Sequence, residues 1–139
     1  MKVFTTTLLL ILSVGLFACT SLNQTVANQN ALVGKLHEQF NAGDYEAIWK
    51  SAHPRFQGEA DKEKFVQYLR LVREKLGKYD STANKDRRFS TANGKTTVFL
   101  VQDTAFANAR AVETFTLQMD GEQPSLLAYN IQSKLLESR

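Results

Sequence analysis

One cysteine, two histidines and no strong excess of either charge bound the chemistry open to this 139-residue chain. A single cysteine, Cys19, excludes an internal disulfide. His37 and His53 stand apart in the sequence with no second cysteine near them, so none of the ligand spacings that hold zinc is present. No metal and no cofactor is therefore expected. Seventeen basic side chains against fourteen acidic give a net charge of +3, without the clustered basic residues that a nucleic-acid footprint needs. Nucleic acid is not an expected partner. The catalytic signatures are missing too: there is no Gly-rich phosphate loop, no Gly-x-Ser-x-Gly elbow and no His-Glu-x-x-His pair. Internal repeats and low-complexity blocks are also absent. No apolar run reaches the roughly 20 residues that a membrane-spanning helix requires.

A shorter apolar run is there, at the start. Lys2 precedes an uncharged stretch from Val3 to Phe17 that ends at the small Ala18, the architecture of a signal peptide. Leu16-Phe17-Ala18-Cys19 resembles the bacterial lipobox, with an apolar residue three before the cysteine and a small one just before it; Phe17 is bulkier than is usual at its position. The resemblance implies that Cys19 is acylated and becomes the first residue of the mature chain. Acylation would remove the only free thiol, and two acyl chains anchor a protein stably where one does not. Thr20 and Ser21 follow, without the Asp that favours retention at the inner membrane. The resemblance therefore implies an outer-membrane lipoprotein facing the periplasm, its membrane partner reached through Cys19.

Removing residues 1–18 leaves 121, enough for one domain. Lys2 is the only charged side chain removed, so the mature chain carries 16 basic against 14 acidic groups. Residues 19–30 read as the lipidated cysteine followed by a polar tether or the start of a first helix. Leu22, Val26, Val33, Leu36 and Phe40 fall on one helical face, which places helix 1 at about 24–42. Gly43 can take positive φ at its end, and Asp44 can cap the next helix. That second helix, Tyr45 to Ala52, sets Tyr45, Ile48, Trp49 and Ala52 on one face and stops before Pro54. A third begins after the capping Asp61, repeats Phe65, Leu69, Val72 and Leu76, and ends at Gly77.

Beyond Gly77 the pattern alternates, and Asn93-Gly94 is a type I′ hairpin signal. Strands are expected at about 79–90, 95–106, 110–119 and 125–133, with turns at Asn93-Gly94, Ala107 to Ala109 and Asp120-Gly121. Their short connections make the sheet antiparallel. Thr97-Val98-Phe99-Leu100-Val101 does not alternate, which calls for cover on both faces or a bulge. Lys85-Asp86-Arg87-Arg88 reads as a charged, exposed edge. The expected class is α+β: about three N-terminal helices on a curved antiparallel sheet of about four strands, a single domain over 31–133 with a tail at 134–139.

Ala42-Gly43-Asp44-Tyr45-Glu46-Ala47 with Trp49, then Phe56-Gln57, Leu76-Gly77, Arg87, Val112-Glu113-Thr114, Asp120-Gly121 and Tyr129-Asn130-Ile131, resemble in order and spacing the domain of unknown function 4019. The resemblance covers about 100 residues. It departs at Gln123-Pro124-Ser125, where a Trp usually follows the final hairpin turn. It implies a cystatin-like or nuclear-transport-factor-two-like architecture, in which helices cross a curved sheet and can enclose a cone-shaped pocket. The family has no established activity to carry over.

Among candidate site residues Glu113 stands first, because strand parity puts it on the face of Phe115, Leu117 and Met119. Two readings are open: an acid or base in a pocket, or a structural carboxylate paired with an Arg or Lys, and the second is expected. Trp49, Phe56 and Tyr129 are further pocket candidates. Aromatics at helical spacing are more often core, and Trp49 is expected where helix 2 meets the sheet. His53 reads as a turn residue, and His37 as a solvated neighbour of Glu38. The expected function is non-catalytic binding of an envelope protein or small apolar ligand; the alternative is a small enzyme using Glu113 for proton transfer.

Overall fold

A computed structural model gives the structure of residues 18–138, with side chains described from Leu22 onward. Residues 1–17 of the expected signal segment lie outside the described residues, and so does the Cys19 side chain. In chain order the elements are α1 (Ala18–Ala42), α2 (Tyr45–Ser51), α3 (Pro54–Glu59), α4 (Lys62–Leu76), β1 (Tyr79–Ala92), β2 (Lys95–Phe106), β3 (Arg110–Asp120), β4 (Gln123–Gln132) and α5 (Lys134–Glu137). The expected α+β class is the observed one.

Helix α1 begins at Ala18 rather than near 24, because the Asn, Gln and Thr residues read as a tether include no Gly or Pro to break a helix. Its buried face is Gln29, Val33, Leu36, His37 and Phe40. Leu22, expected on that face, is 68% exposed. Gly43 closes the helix with φ of 74°, a conformation glycine takes without steric cost. The Asp44 carboxylate then accepts the Ala47 N–H at 3.2 Å, and Asp61 does the same for Lys64 N–H at 2.9 Å.

Helix α3 stands where the sequence suggested a connection. Pro54 stopped the expected second helix but also sits at the first position of a new one, where its missing N–H costs nothing. The His53 ring caps it, Nδ1 accepting the Arg55 N–H at 3.1 Å. Helix α5 likewise replaces part of the expected tail.

The sheet is antiparallel in the order β1-β2-β3-β4. Asn93 and Gly94 have φ of 52° and 73°, as the hairpin signal requires. Strand β2 does alternate in space: Val98, Leu100, Gln102, Thr104 and Phe106 point to the helix side and are buried. It is neither bulged nor covered on both faces; Phe99 is 39% exposed on the open face. The irregularities lie in the two outer strands. Strand β1 has extra residues at Asp80 and Lys85, and β4 has one at Leu127. Each bulge lets residues three apart share a face, so Leu126 and Tyr129 both turn inward, opposite Leu117 and Phe115. In β1 the same device turns Arg87 inward, opposite Leu100, where its Nη2 donates to Asn30 Oδ1 on α1 at 2.7 Å. Lys85, Asp86 and Arg88 keep the expected exposed position, Arg88 paired with Asp86 at 2.9 Å.

The core lies between the inner face of the sheet and helices α1, α2 and α4, and its most enclosed members are Val72, Leu76, Val98, Leu100 and Leu117. Trp49 is buried, but its ring meets Phe56 and Phe65 at centroid distances of 5.4 and 5.8 Å. This cluster joins the three helices α2, α3 and α4.

Candidate functional site

Glu113 occupies the inner face of β3, as its parity implied, and is 1% exposed. Its partner is not an Arg or Lys. Three side chains from three elements converge on the carboxylate: the Tyr129 hydroxyl donates to Oε1 at 2.6 Å, the Thr104 hydroxyl to Oε2 at 2.6 Å, and His37 Nε2 stands 2.8 Å from Oε2. Hydrogen bonds to a charged acceptor are about twice as strong as neutral ones. The apolar surroundings therefore hold a carboxylate without a cation from the basic residues of the neighbouring strands.

The register explains the convergence. Gln102 lies opposite Glu113, so Thr104 is one diagonal step away on β2. On the other side Ile131 lies opposite, and Tyr129 is the diagonal neighbour, brought inward by the Leu127 bulge. His37 comes from α1, four residues after Val33 and three before Phe40, and is 4% exposed. It is not a solvated neighbour of Glu38. The Asn41 side chain fixes the start of β1 beside it, donating to Tyr79 O at 3.0 Å and accepting the Tyr79 N–H at 2.8 Å. The Tyr79 ring then stacks on the imidazole at 3.8 Å, with the planes within 9°.

The hydrogen inventory follows from these distances. A carboxylate only accepts, so His37 Nε2 and the Thr104 hydroxyl are the donors at their contacts with Glu113. The Thr82 hydroxyl stands 2.9 Å from Thr104 Oγ1 and donates to Gln102 Oε1 at 3.0 Å. His37 Nδ1 is left as a buried atom with no partner. Burial, then the nearby Glu113 charge, push the Tyr129 phenol well above its ordinary range. The same two causes, burial first, raise Tyr79.

Beside Glu113, His37 and Tyr129 lies a cavity of about 20 Å³ walled by Leu36, Phe40 and Phe115. One water needs about 10–15 Å³ of such space, so the cavity has room for a water and not for an organic substrate. Trp49 and Phe56 are not part of its lining. Among the described residues no three His, Cys, Asp or Glu side chains gather as metal ligands. Sequence reasoning thus found Glu113 and Tyr129 and missed His37, Thr104 and Tyr79. For His37 the signal was present in its spacing from Val33 and Phe40; for Thr104 it was inner-face parity with Val98 and Leu100.

A family model described as a protein of unknown function (DUF4019) matches residues 34–129. The match contains His37, Tyr79, Thr104, Glu113 and Tyr129. No curated protein matches the chain.

Proposed function

The chain belongs to the DUF4019 family, and from its site we propose that it is a lipid-anchored, non-catalytic binding domain of the bacterial cell envelope, held through acylated Cys19 at the outer membrane and facing the periplasm. The observation that carries the non-catalytic reading is the state of Glu113. Three of its roughly four acceptor positions are filled by the protein's own donors, and the adjoining cavity has space for a water only. A general base must come within about 2.6–3.2 Å of the proton it takes, and no substrate of ordinary size fits there. The same fact weighs against an apolar ligand in a cone-shaped pocket, since Phe40, Leu69 and Phe115 fill that space. The anchor is supported by the lipobox resemblance. No described helix is long and apolar enough to cross a membrane, which is consistent with attachment through lipid.

Two measurements test this reading. The intact mass of the detergent-extracted full chain should show loss of residues 1–18 and addition of diacylglycerol at Cys19; an unmodified mature mass would overturn the anchor. In Glu113→Gln an amide nitrogen replaces one acceptor oxygen and faces a donor, a loss of about 1–3 kcal/mol or more in a buried site. Denaturant unfolding at pH 7 should show that loss. A Gln variant as stable as wild type would mean that the carboxylate is not structural, and the enzyme reading would replace this one.

A further inference from the structure

Among the described residues the two most exposed large apolar side chains are Leu22, 68% exposed, and Phe89, 52% exposed. One apolar side chain in water needs no explanation, but these two belong to different elements and stand at the same end of the molecule. Helix α1 and strand β1 run side by side in opposite directions: Asn41 holds Tyr79 at one end, and Asn30 holds Arg87 at the other. The start of α1 and the Asn93-Gly94 hairpin therefore lie together. Phe89 is two residues nearer that hairpin than Arg87 and points to the same side of the sheet, opposite Val98 as Arg87 is opposite Leu100. Leu22 is six residues nearer the start of α1 than Asn28, whose amide reaches the other hairpin at Glu122. Helical side chains lean toward the N-terminus, so Leu22 leans toward that same end.

The proposed anchor stands at that end too. Cys19 belongs to the first turn of α1, and Leu22 follows it by three residues, roughly 4.5 Å along the axis. Acyl chains on Cys19 hold that turn at the headgroups, where Leu22 meets lipid at once. Phe89 is further away. Asn30 follows Cys19 by eleven residues, roughly 16 Å of helix, and Phe89 is roughly 7 Å nearer the anchor than Arg87, so about 10 Å remains with α1 upright. A tilt toward β1 closes that gap, and the charges favour it. From Lys85 to Lys95 the first hairpin carries four basic side chains and one acidic, whereas the second carries Asp120 and Glu122 and no basic one between them. Anionic headgroups attract the first and repel the second. We infer that Leu22 and Phe89 form a membrane-contacting corner that seats the domain on a phospholipid surface, its β1–β2 hairpin toward the headgroups. The inference rests on the anchor reading and adds an orientation to it. Two side chains bury too little apolar surface to hold the protein without acyl chains, so the corner orients the domain and does not attach it.

The test places the full processed chain in nanodiscs of phosphatidylethanolamine and phosphatidylglycerol, with and without brominated acyl chains, which quench tryptophan on contact. Wild type, whose one tryptophan is the buried Trp49, sets the background. Leu22→Trp and Phe89→Trp put a side chain suited to the membrane interface at the corner. Two controls start from similar exposure elsewhere: Leu135→Trp on α5, which follows β4 at the end of the sheet away from the hairpins, and Phe99→Trp on the open face of the sheet, at 38% and 39%. Both corner variants should lose most of their added emission in the brominated discs, and both controls should lose none. If Phe89→Trp melts lower than wild type, broadening of the Phe89 ring resonances of the wild-type chain by spin-labelled lipid takes its place. Equal quenching at all four positions would show a domain swinging freely on its anchor and overturn the corner. An acylated chain, verified by intact mass, in which Phe89→Trp is not quenched would overturn the corner and leave the anchor standing. An unacylated chain that does not join the discs would overturn both. Unquenched corner variants in discs that carry two copies would give the surface to a second chain and overturn the lipid assignment.

Discussion

A single hydroxyl shows how the buried carboxylate is held. Tyr129 donates to Glu113 Oε1 at 2.6 Å, and removing one donor to a charged group costs about 1.5–3 kcal/mol. Tyr129→Phe should lose that much in urea unfolding at pH 7. It should also change the response to alkali. The folded-state phenol is raised well above its ordinary 10.0 by burial and by Glu113, so above that value the unfolded chain gives up a proton that the folded chain keeps. The folded state then binds more protons, and stability falls as pH rises. The contribution is fully present below about pH 10 and is lost on the way to the folded value. Wild type should therefore lose stability more steeply than Tyr129→Phe between about pH 9.5 and 11, with Tyr68 and Tyr79, also raised, leaving a residual slope in the variant. Equal slopes would show that Tyr129 is not the buried phenol described. At this scale the sequence was half legible. Parity alone places Glu113, because β3 has no bulge before it on its β2 side; it cannot place Tyr129, whose face is set by the extra residue at Leu127.

Among the elements, local signals were the readable ones. Asp44, Asp61, Gly43, Gly77 and Asn93-Gly94 act through their own backbone neighbourhood, and each does in the structure what its residue type suggests. What could not be read is decided at a distance. The Asn28 amide donates to Glu122 O at 2.9 Å and fastens the supposed tether to the last hairpin, while α3 is too short for its pattern to outweigh the proline at its start. Two glycines put the contrast to a test. Gly34→Ala should stabilise α1 by about 0.5–1 kcal/mol, since the added Cβ meets nothing. Gly77→Ala should destabilise by more than that, because φ is 81° and the new Cβ would lie 2.9 Å from that of Ala107. Thermal melts that move in the same direction for both would contradict the packing at one of them. Helix α1 also carries Gln29, 0% exposed with Oε1 unpartnered and Nε2 only 3.9 Å from Met119 Sδ. Replacing it with an unbranched apolar side chain removes the orphaned acceptor, so Gln29→Met should raise the denaturation midpoint by the equivalent of about 1 kcal/mol. A drop of that size would mean that the amide has a partner in solution.

In the whole molecule, the folded core and the proposed anchor rest on different residues. The core is assembled from Val33 onward and the family match begins at residue 34, whereas the anchor reading rests on a sulfur at residue 19. The two meet only through α1, which is continuous from Ala18 to Ala42. Changing that sulfur should therefore move the protein without loosening it. Cys19→Ala, with the signal still removed, should leave the membrane fraction for the soluble one after a high-salt wash. Its melting midpoint should shift by far less than the roughly 4 °C that a 1 kcal/mol loss produces in a domain of about this size. A variant that stays with the membrane when correctly processed would remove the anchor assignment, because no described helix could hold it there. A variant that leaves the membrane but melts several degrees lower would show instead that the first turn of α1 contributes to the fold.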